Sequence, residues 1–234
     1  MNLISSITNT INFEKNKLIN FFKIKSLAKD KINHFSSPEW NQAYHDLISL
    51  GVCKLPKKIE IPEKFKKLSN YSNPNNFDEF IRLKNSISKF NDYGKSVSEL
   101  NISSKIFESI FTKELFLIIK NYYKSEFWLR NSPMLGIDAK EKRKKNYSQG
   151  YYHTDHCERQ LSLIILLNDL KENSTHTKYI LNSNRLSWFF NIENRFSKRQ
   201  IQFAKKLEFK NSARKIIGLS GEIFLFDAGN GLHK

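Results

Sequence analysis

The chain is short of cysteine, of arginine and of long apolar runs, and each shortage excludes something. Two cysteines, Cys53 and Cys157, in 234 residues cannot build a disulfide framework, so a reducing cytoplasmic setting is the simpler expectation. Nowhere do eighteen apolar residues follow one another, which leaves no candidate for a membrane-spanning helix. The amino terminus also lacks the charged start and continuous apolar core of a secretory signal. The formal charge is +16, yet only 8 of the 39 basic residues are arginine. Proteins that read phosphates and base edges lean on arginine for its two-pronged geometry. No zinc-finger spacing, single-strand-binding aromatic motif or helix-turn-helix pattern accompanies the lysines, so no nucleic-acid partner is expected.

What the sequence does contain is enough for one folded domain. A chain of 27.6 kDa buries roughly 70% of the surface that its unfolded form exposes. Hydrophobic residues make up 39% and aromatic residues 13%, with 19 phenylalanines to supply core volume, and no internal repeat is evident. Residues 1–35 read as an amphipathic helical segment, with Ile4, Ile7, Ile11, Leu18, Phe21 and Phe22 spaced by threes and fours among lysines. Such a segment either lies on an anionic membrane surface or packs against the rest of the fold or a partner subunit. Helices are expected over Phe77–Asn91 and Ile102–Lys124, the second with Ile106, Ile110, Leu117 and Ile118 on one stripe and Ser103–Ser104 as its cap. Strands are expected to dominate after Glu126. A helical insertion around 185–210, bearing Trp188, Phe189, Phe190 and Phe196, is expected to cover the mouth of the site, and Arg214–Ile217 to resume the sheet.

The chemistry concentrates in His153-Thr154-Asp155 and in His233, which follows the apolar run Ile223–Phe226 and the glycine-rich break Asp227-Ala228-Gly229-Asn230-Gly231. Residues i and i+2 of a strand face the same way, so His153 and Asp155 can hold one ion, and His233 can join them from a strand folded back alongside. Two imidazoles and one carboxylate form the donor set of non-haem Fe(II) sites and leave three coordination positions open. The apolar run Leu161–Leu167 that leaves the triplet suits a buried strand. Cys157 shares the face of His153 and Asp155 if the strand stays regular, either as a fourth ligand or as a small apolar filler. His156 points the other way. Metal binding needs neutral imidazoles and an ionised carboxylate, so affinity is expected to drop as pH falls through the histidine range.

On these residues the sequence resembles the phytanoyl-CoA dioxygenase-like branch of the Fe(II)/2-oxoglutarate-dependent oxygenases. The resemblance extends to Asp46–Pro56, similar to that family's opening helix, glycine and short strand ending at a proline. It extends also to Thr175–Arg185, similar to a segment that usually closes with Gly-Ser-His, where this chain has Asn182-Ser183-Asn184. The resemblance implies a mainly β domain with flanking helices (α+β) over residues 36–234, a double-stranded β-helix of jelly-roll or cupin-like form, with the metal at one open end. It also implies Fe(II) as cofactor, 2-oxoglutarate as cosubstrate, and hydroxylation of a small-molecule or carrier-linked substrate. The family places an arginine about ten residues past the distal histidine, where its fork pairs with the far carboxylate of 2-oxoglutarate. Residues of this sequence end at Lys234, so the expectation is that the reading frame continues into a further strand carrying that arginine. An unpaired strand ending there is expected to fray.

Arg130 is the candidate upstream anchor for the cosubstrate; the plainer reading pairs it with a carboxylate or packs it on Trp128. Tyr152 and Gln149 are candidates to touch cosubstrate or substrate, against sheet packing for the tyrosine and a loop hydrogen bond for the glutamine. The cluster Lys140–Lys145 either overhangs the metal and draws in an anionic substrate, or is a solvated loop. Three other readings compete with the oxygenase: a degenerate relative that binds metal without turnover, a cupin-like binding module, and a basic RNA-associated protein.

Overall fold

The computed structural model describes residues 35–63, 88–89, 97–100, 108–124, 127, 134–136, 152–155, 160–172, 176–186 and 198–234. The N-terminal segment before residue 35, the basic cluster Lys140–Lys145, the aromatic stretch 188–196, Arg130, Gln149, His156 and Cys157 lie outside the described residues.

Helix α1 (Pro38–Leu50) starts with proline in its first turn and buries Trp40, Ala43, Tyr44, Leu47 and Ile48, a helical stripe. Gly51 ends it at φ +83°, a left-handed conformation in which its N–H reaches Leu47 O and which a side chain would strain. A Cβ at Gly51 would also stand 2.2 Å from the Tyr179 hydroxyl. The chain then enters β1 (Val52–Lys58), as the resemblance led one to expect, but the strand does not stop at Pro56. Its pairing slips between Lys54 and Lys58 instead, where proline has no N–H to give to the ladder.

Two short strands, β2 (Ser88–Lys89) and β3 (Val97–Leu100), pair antiparallel, so the helix expected over Phe77–Asn91 does not hold at its end. Helix α2 (Lys113–Tyr123) is shorter than the expected Ile102–Lys124. Thr112, extended at ψ 166°, is its true cap: the hydroxyl accepts the N–H of Leu115 and breaks continuity with the separate turn at 108–110. Its buried stripe is Leu115, Ile118, Ile119 and Tyr122. Strand β4 (Met134–Gly136) pairs with β3.

The remaining strands are β5 (Leu161–Ile165), β6 (Lys178–Ile180), β7 (Ala213–Lys215) and β8 (Glu222–Asp227). Strand β8 lies between β1 and β5, antiparallel to both. It is buried on both faces, which is why Ile223-Phe224-Leu225-Phe226 is a continuous apolar run rather than an alternating one. Ile223 and Leu225 face a core with Leu47 and Ile48 of α1 and Leu115 and Ile118 of α2. Phe224 and Phe226 face Val52, Tyr179 and Ile216 on the other side. Strand β5 is half-buried along its whole length, so the fully buried strand expected over Leu161–Leu167 is corrected to one flanking strand of the sheet, with Leu166 buried just beyond it.

Strands β6 and β7 pair antiparallel, and the last residues extend them. His233 bridges to Tyr179 on one side and to His153 on the other. Lys234 exchanges both backbone hydrogen bonds with Lys178, at 2.8 and 3.0 Å, so this strand is paired on that side. Behind it lies helix α3 (Lys198–Asn211), whose Ala204 and Leu207 pack on Tyr152, Ile180 and Leu232. Residues 152, 180 and 232 alternate with 153, 179 and 233, so this helix backs the small sheet on the face away from His153 and His233. The expected cover over the site is corrected accordingly for the described part of the insertion. The result is a mixed α+β architecture of small antiparallel sheets with helices on the outside. No helix among the described residues is long and apolar enough to cross a membrane.

Candidate metal centre

His153 and His233 are brought together by backbone pairing. The N–H of each donates to the carbonyl of the other, at 2.9 and 3.0 Å, which places the two side chains on one face of the small sheet. Their ring centroids are 4.6 Å apart. The regular strand expected through the triplet is in fact a single bridge at His153, and Asp155 is positioned separately by its N–H donating to Ala228 O at 2.9 Å. That bond ties the carboxylate to the turn leading out of β8. Thr154, between the two candidate ligands, is buried.

One ligand atom from each of His153, Asp155 and His233 lies within 4.8 Å of the other two. Asp155 Oδ1 is 3.1 Å from His233 Nε2 and 3.7 Å from His153 Nε2. The chemistry of the donor set can be tested on His233. Its Nδ1 lies 3.1 Å from the Gly231 carbonyl, which can only accept, so this nitrogen carries the ring proton and donates. In the neutral ring Nε2 then presents a lone pair to the lone pairs of Asp155 Oδ1. Two lone pairs at 3.1 Å repel unless a proton or a cation lies between them, so the arrangement accommodates a metal ion as well as a shared proton. Phe226 packs edge-on against the His233 ring at 5.2 Å and limits its rotation.

The three side chains differ in exposure: 9% for His233, 17% for His153 and 31% for Asp155. The two histidines are thus the more enclosed ligands and Asp155 the most exposed of the three. Gln160 Nε2 donates to Asp155 Oδ2 at 3.3 Å.

Tyr152 sits with Ile180, Leu207 and Leu232 under α3, and the Lys234 ammonium lies 4.3 Å above its ring. Burial, with the Glu208 carboxylate beside it, pushes its hydroxyl well above the usual phenol range. This is the sheet-packing placement weighed for Tyr152, not one beside the triad. Arg130 and Gln149 lie outside the described residues.

The supporting roles of several residues escaped the reading of the sequence. The Ser183 hydroxyl donates to Ile180 O at 2.7 Å and accepts the Leu232 N–H at 2.8 Å, fixing the residue before His233. Asn182 has φ +61°, so it stands in the left-handed conformation where the resembled family has glycine, and asparagine is the next most tolerant residue there. Asn184 is buried, and neither end of its amide has a hydrogen-bond partner among the described residues. Asp227 is fully buried and shapes the turn before His233: its carboxylate accepts the Asn230 N–H at 3.0 Å, the Asn230 side-chain amide and the Tyr122 hydroxyl. The signal for this last network was present, since Asp-x-x-Asn beside glycines is a turn pattern, but its partner Tyr122 lies 105 positions upstream.

A scan against protein-family models gives no match, and a search of curated proteins finds no significant relative.

Proposed function

We propose that this chain is an Fe(II)- and 2-oxoglutarate-dependent oxygenase of the phytanoyl-CoA dioxygenase-like kind, built on a double-stranded β-helix and hydroxylating a small-molecule or carrier-linked substrate. The observation that carries the reading is the convergence of His153, Asp155 and His233 within 4.8 Å from segments nearly eighty residues apart. Two imidazoles and a carboxylate are too few to fill an octahedral metal, and the positions they leave are those that a 2-oxo acid and dioxygen would take. An Fe(II) ion held there supplies the redox chemistry that couples oxidative decarboxylation of 2-oxoglutarate to hydroxylation of a C–H bond. The residues of the chain have three tasks. His153 Nε2, His233 Nε2 and Asp155 Oδ1 are the ligand atoms; Gly231 O keeps the proton of His233 on Nδ1; and Phe226 with the two sheets screens the histidine side from water.

Anaerobic addition of Fe(II) and 2-oxoglutarate tests the proposal. A weak visible charge-transfer band that requires both additions, and succinate formation on admitting air, are the expected results. His153→Ala should abolish both. Metal binding with no such band would leave a metal-binding module and overturn the oxygenase reading; wild-type turnover by His153→Ala would remove the site itself.

A further inference from the structure

Gln160 is the residue at the proposed centre to which the metal-ligand argument assigns nothing. It stands at the mouth of β5, five residues beyond Asp155, and is tied to both halves of the site. Its side-chain NH2 donates to Asp155 Oδ2 at 3.3 Å, and its backbone carbonyl accepts the Gly229 N–H at 3.1 Å, in the turn that leads to His233. The orientation of the amide is set by chemistry, because a carboxylate oxygen accepts and only the NH2 end can face it. At the other end, Oε1 is buried with no hydrogen-bond donor among the described residues. Burying a carbonyl unpaired costs about 1–3 kcal/mol, which an apolar side chain of the same length, such as methionine, would avoid. A residue that served packing alone gains nothing from that arrangement.

The two oxygens of Asp155 are therefore treated differently. Oδ1 faces His233 Nε2 at 3.1 Å and His153 Nε2 at 3.7 Å, whereas Oδ2 is engaged by Gln160. Asp155 is also the most exposed of the three, and a carboxylate with a free second oxygen readily turns to bind a metal through both. Resting on the metal-site reading above, we infer that Gln160 is a positioning residue that holds Asp155 to one coordinating oxygen and so keeps one further position of the metal open for exogenous ligands. Outer hydrogen bonds to metal-bound carboxylates orient them in this way.

The full chain, Gln160→Met and Gln160→Glu are each loaded with Mn(II) under identical conditions, and water-proton relaxivity per bound ion is read beside the metal-free melting temperature. The unaltered chain should hold solvent in about three positions. Gln160→Met should bind Mn(II) with relaxivity lower by about a third, as Oδ2 displaces one water, and should melt in the metal-free state no lower than the unaltered chain. Gln160→Glu keeps size and polarity but replaces the donor by an acceptor, and should show the same fall in relaxivity. Unaltered relaxivity in both variants overturns the inference, as does a metal-free melting temperature that falls in Gln160→Met while relaxivity stays constant, which marks a packing role. Failure of the unaltered chain to bind Mn(II) overturns the metal-site reading instead, so the two failures are distinct.

Discussion

Ser183→Ala isolates how the fold holds one ligand of the centre. The serine is fully buried, and its hydroxyl both donates to Ile180 O, at 2.7 Å, and accepts from Leu232 N–H, at 2.8 Å. Alanine keeps the backbone and removes both bonds. Losing the donated bond is worth about 1 kcal/mol, and leaving the Leu232 N–H buried without an acceptor adds about 1–3 kcal/mol, for a total of about 2–4 kcal/mol. In a chain of this size each kcal/mol moves the midpoint by about 2–4 °C, so the metal-free protein should melt about 5–15 °C lower. The effect should also reach the metal, because Leu232 immediately precedes His233 and its carbonyl accepts from Ile180 N–H at 2.9 Å in the same ladder. Loosening that segment should weaken metal affinity by roughly tenfold, in the range found for outer-shell contacts. Thermal melts monitored by circular dichroism, with a metal titration at constant pH, measure both quantities. Ser220→Ala is the matched control: its hydroxyl donates to Leu167 O at 2.9 Å in a half-buried turn and should move the midpoint by no more than about 4 °C. A Ser183→Ala protein that melts within about 2 °C of wild type and binds metal equally well would refute the argument.

Three other outcomes follow from the same geometry. A Cβ at Gly231 would stand 1.7 Å from the Tyr179 hydroxyl, so Gly231→Ala should displace the buried tyrosine or the turn and lose about 3 kcal/mol or more; an unchanged urea midpoint would show that the turn yields freely. Asn182→Gly should melt at or slightly above the wild-type temperature while Asn182→Val loses about 1–2 kcal/mol, because φ is +61° there; equal melts for the two would contradict the left-handed assignment. Burial pushes the Cys53 thiol up to about 12 and raises the Tyr152 and Tyr179 hydroxyls well above ordinary phenols. The native state keeps these protons while the unfolded chain releases them near pH 8.5–10, so the stabilisation is complete below about pH 8.5 and declines as pH rises toward the native values. Each group contributes a slope of about 1.4 kcal/mol per pH unit in that window, and urea denaturation that gives the same stability at pH 8 and pH 11 would exclude the effect.

Much of the framework was legible because it is local. The helix, glycine and strand that the resemblance placed over Asp46–Pro56 are there, with the helix beginning earlier, at Pro38. The apolar run Ile223–Phe226 is a strand in the structure, and His153 and Asp155 do converge, although through a single bridge and a separate backbone bond rather than the regular strand that their i, i+2 spacing suggested. The misses have equally definite causes. The stripe that suggested a helix from Ile102 carries no information about where a cap will form, and the Thr112 hydroxyl won by taking the Leu115 N–H. The run Leu161–Leu167 looked wholly buried because apolar content does not reveal whether a strand has neighbours on both sides. Helix α3 was expected over the site and lies behind it, since which face of the small sheet it covers depends on the alternation at residues 152, 180 and 232.

The sequence by itself determined the candidate donor atoms: two imidazoles and a carboxylate, the spacing of the first pair, and the broken strand end that carries the third. Only the tertiary structure decided that these atoms meet. His233 reaches His153 through a backbone pairing across 80 positions, its Nδ1 lies against Gly231 O, and Gln160 donates to Asp155 Oδ2. Periodicity along a chain reports which side a residue faces, because that depends on backbone angles a few bonds away. Which strand lies opposite depends on the packing of Phe224 and Phe226 against Tyr179 and Ile216, contacts between segments that no local pattern encodes.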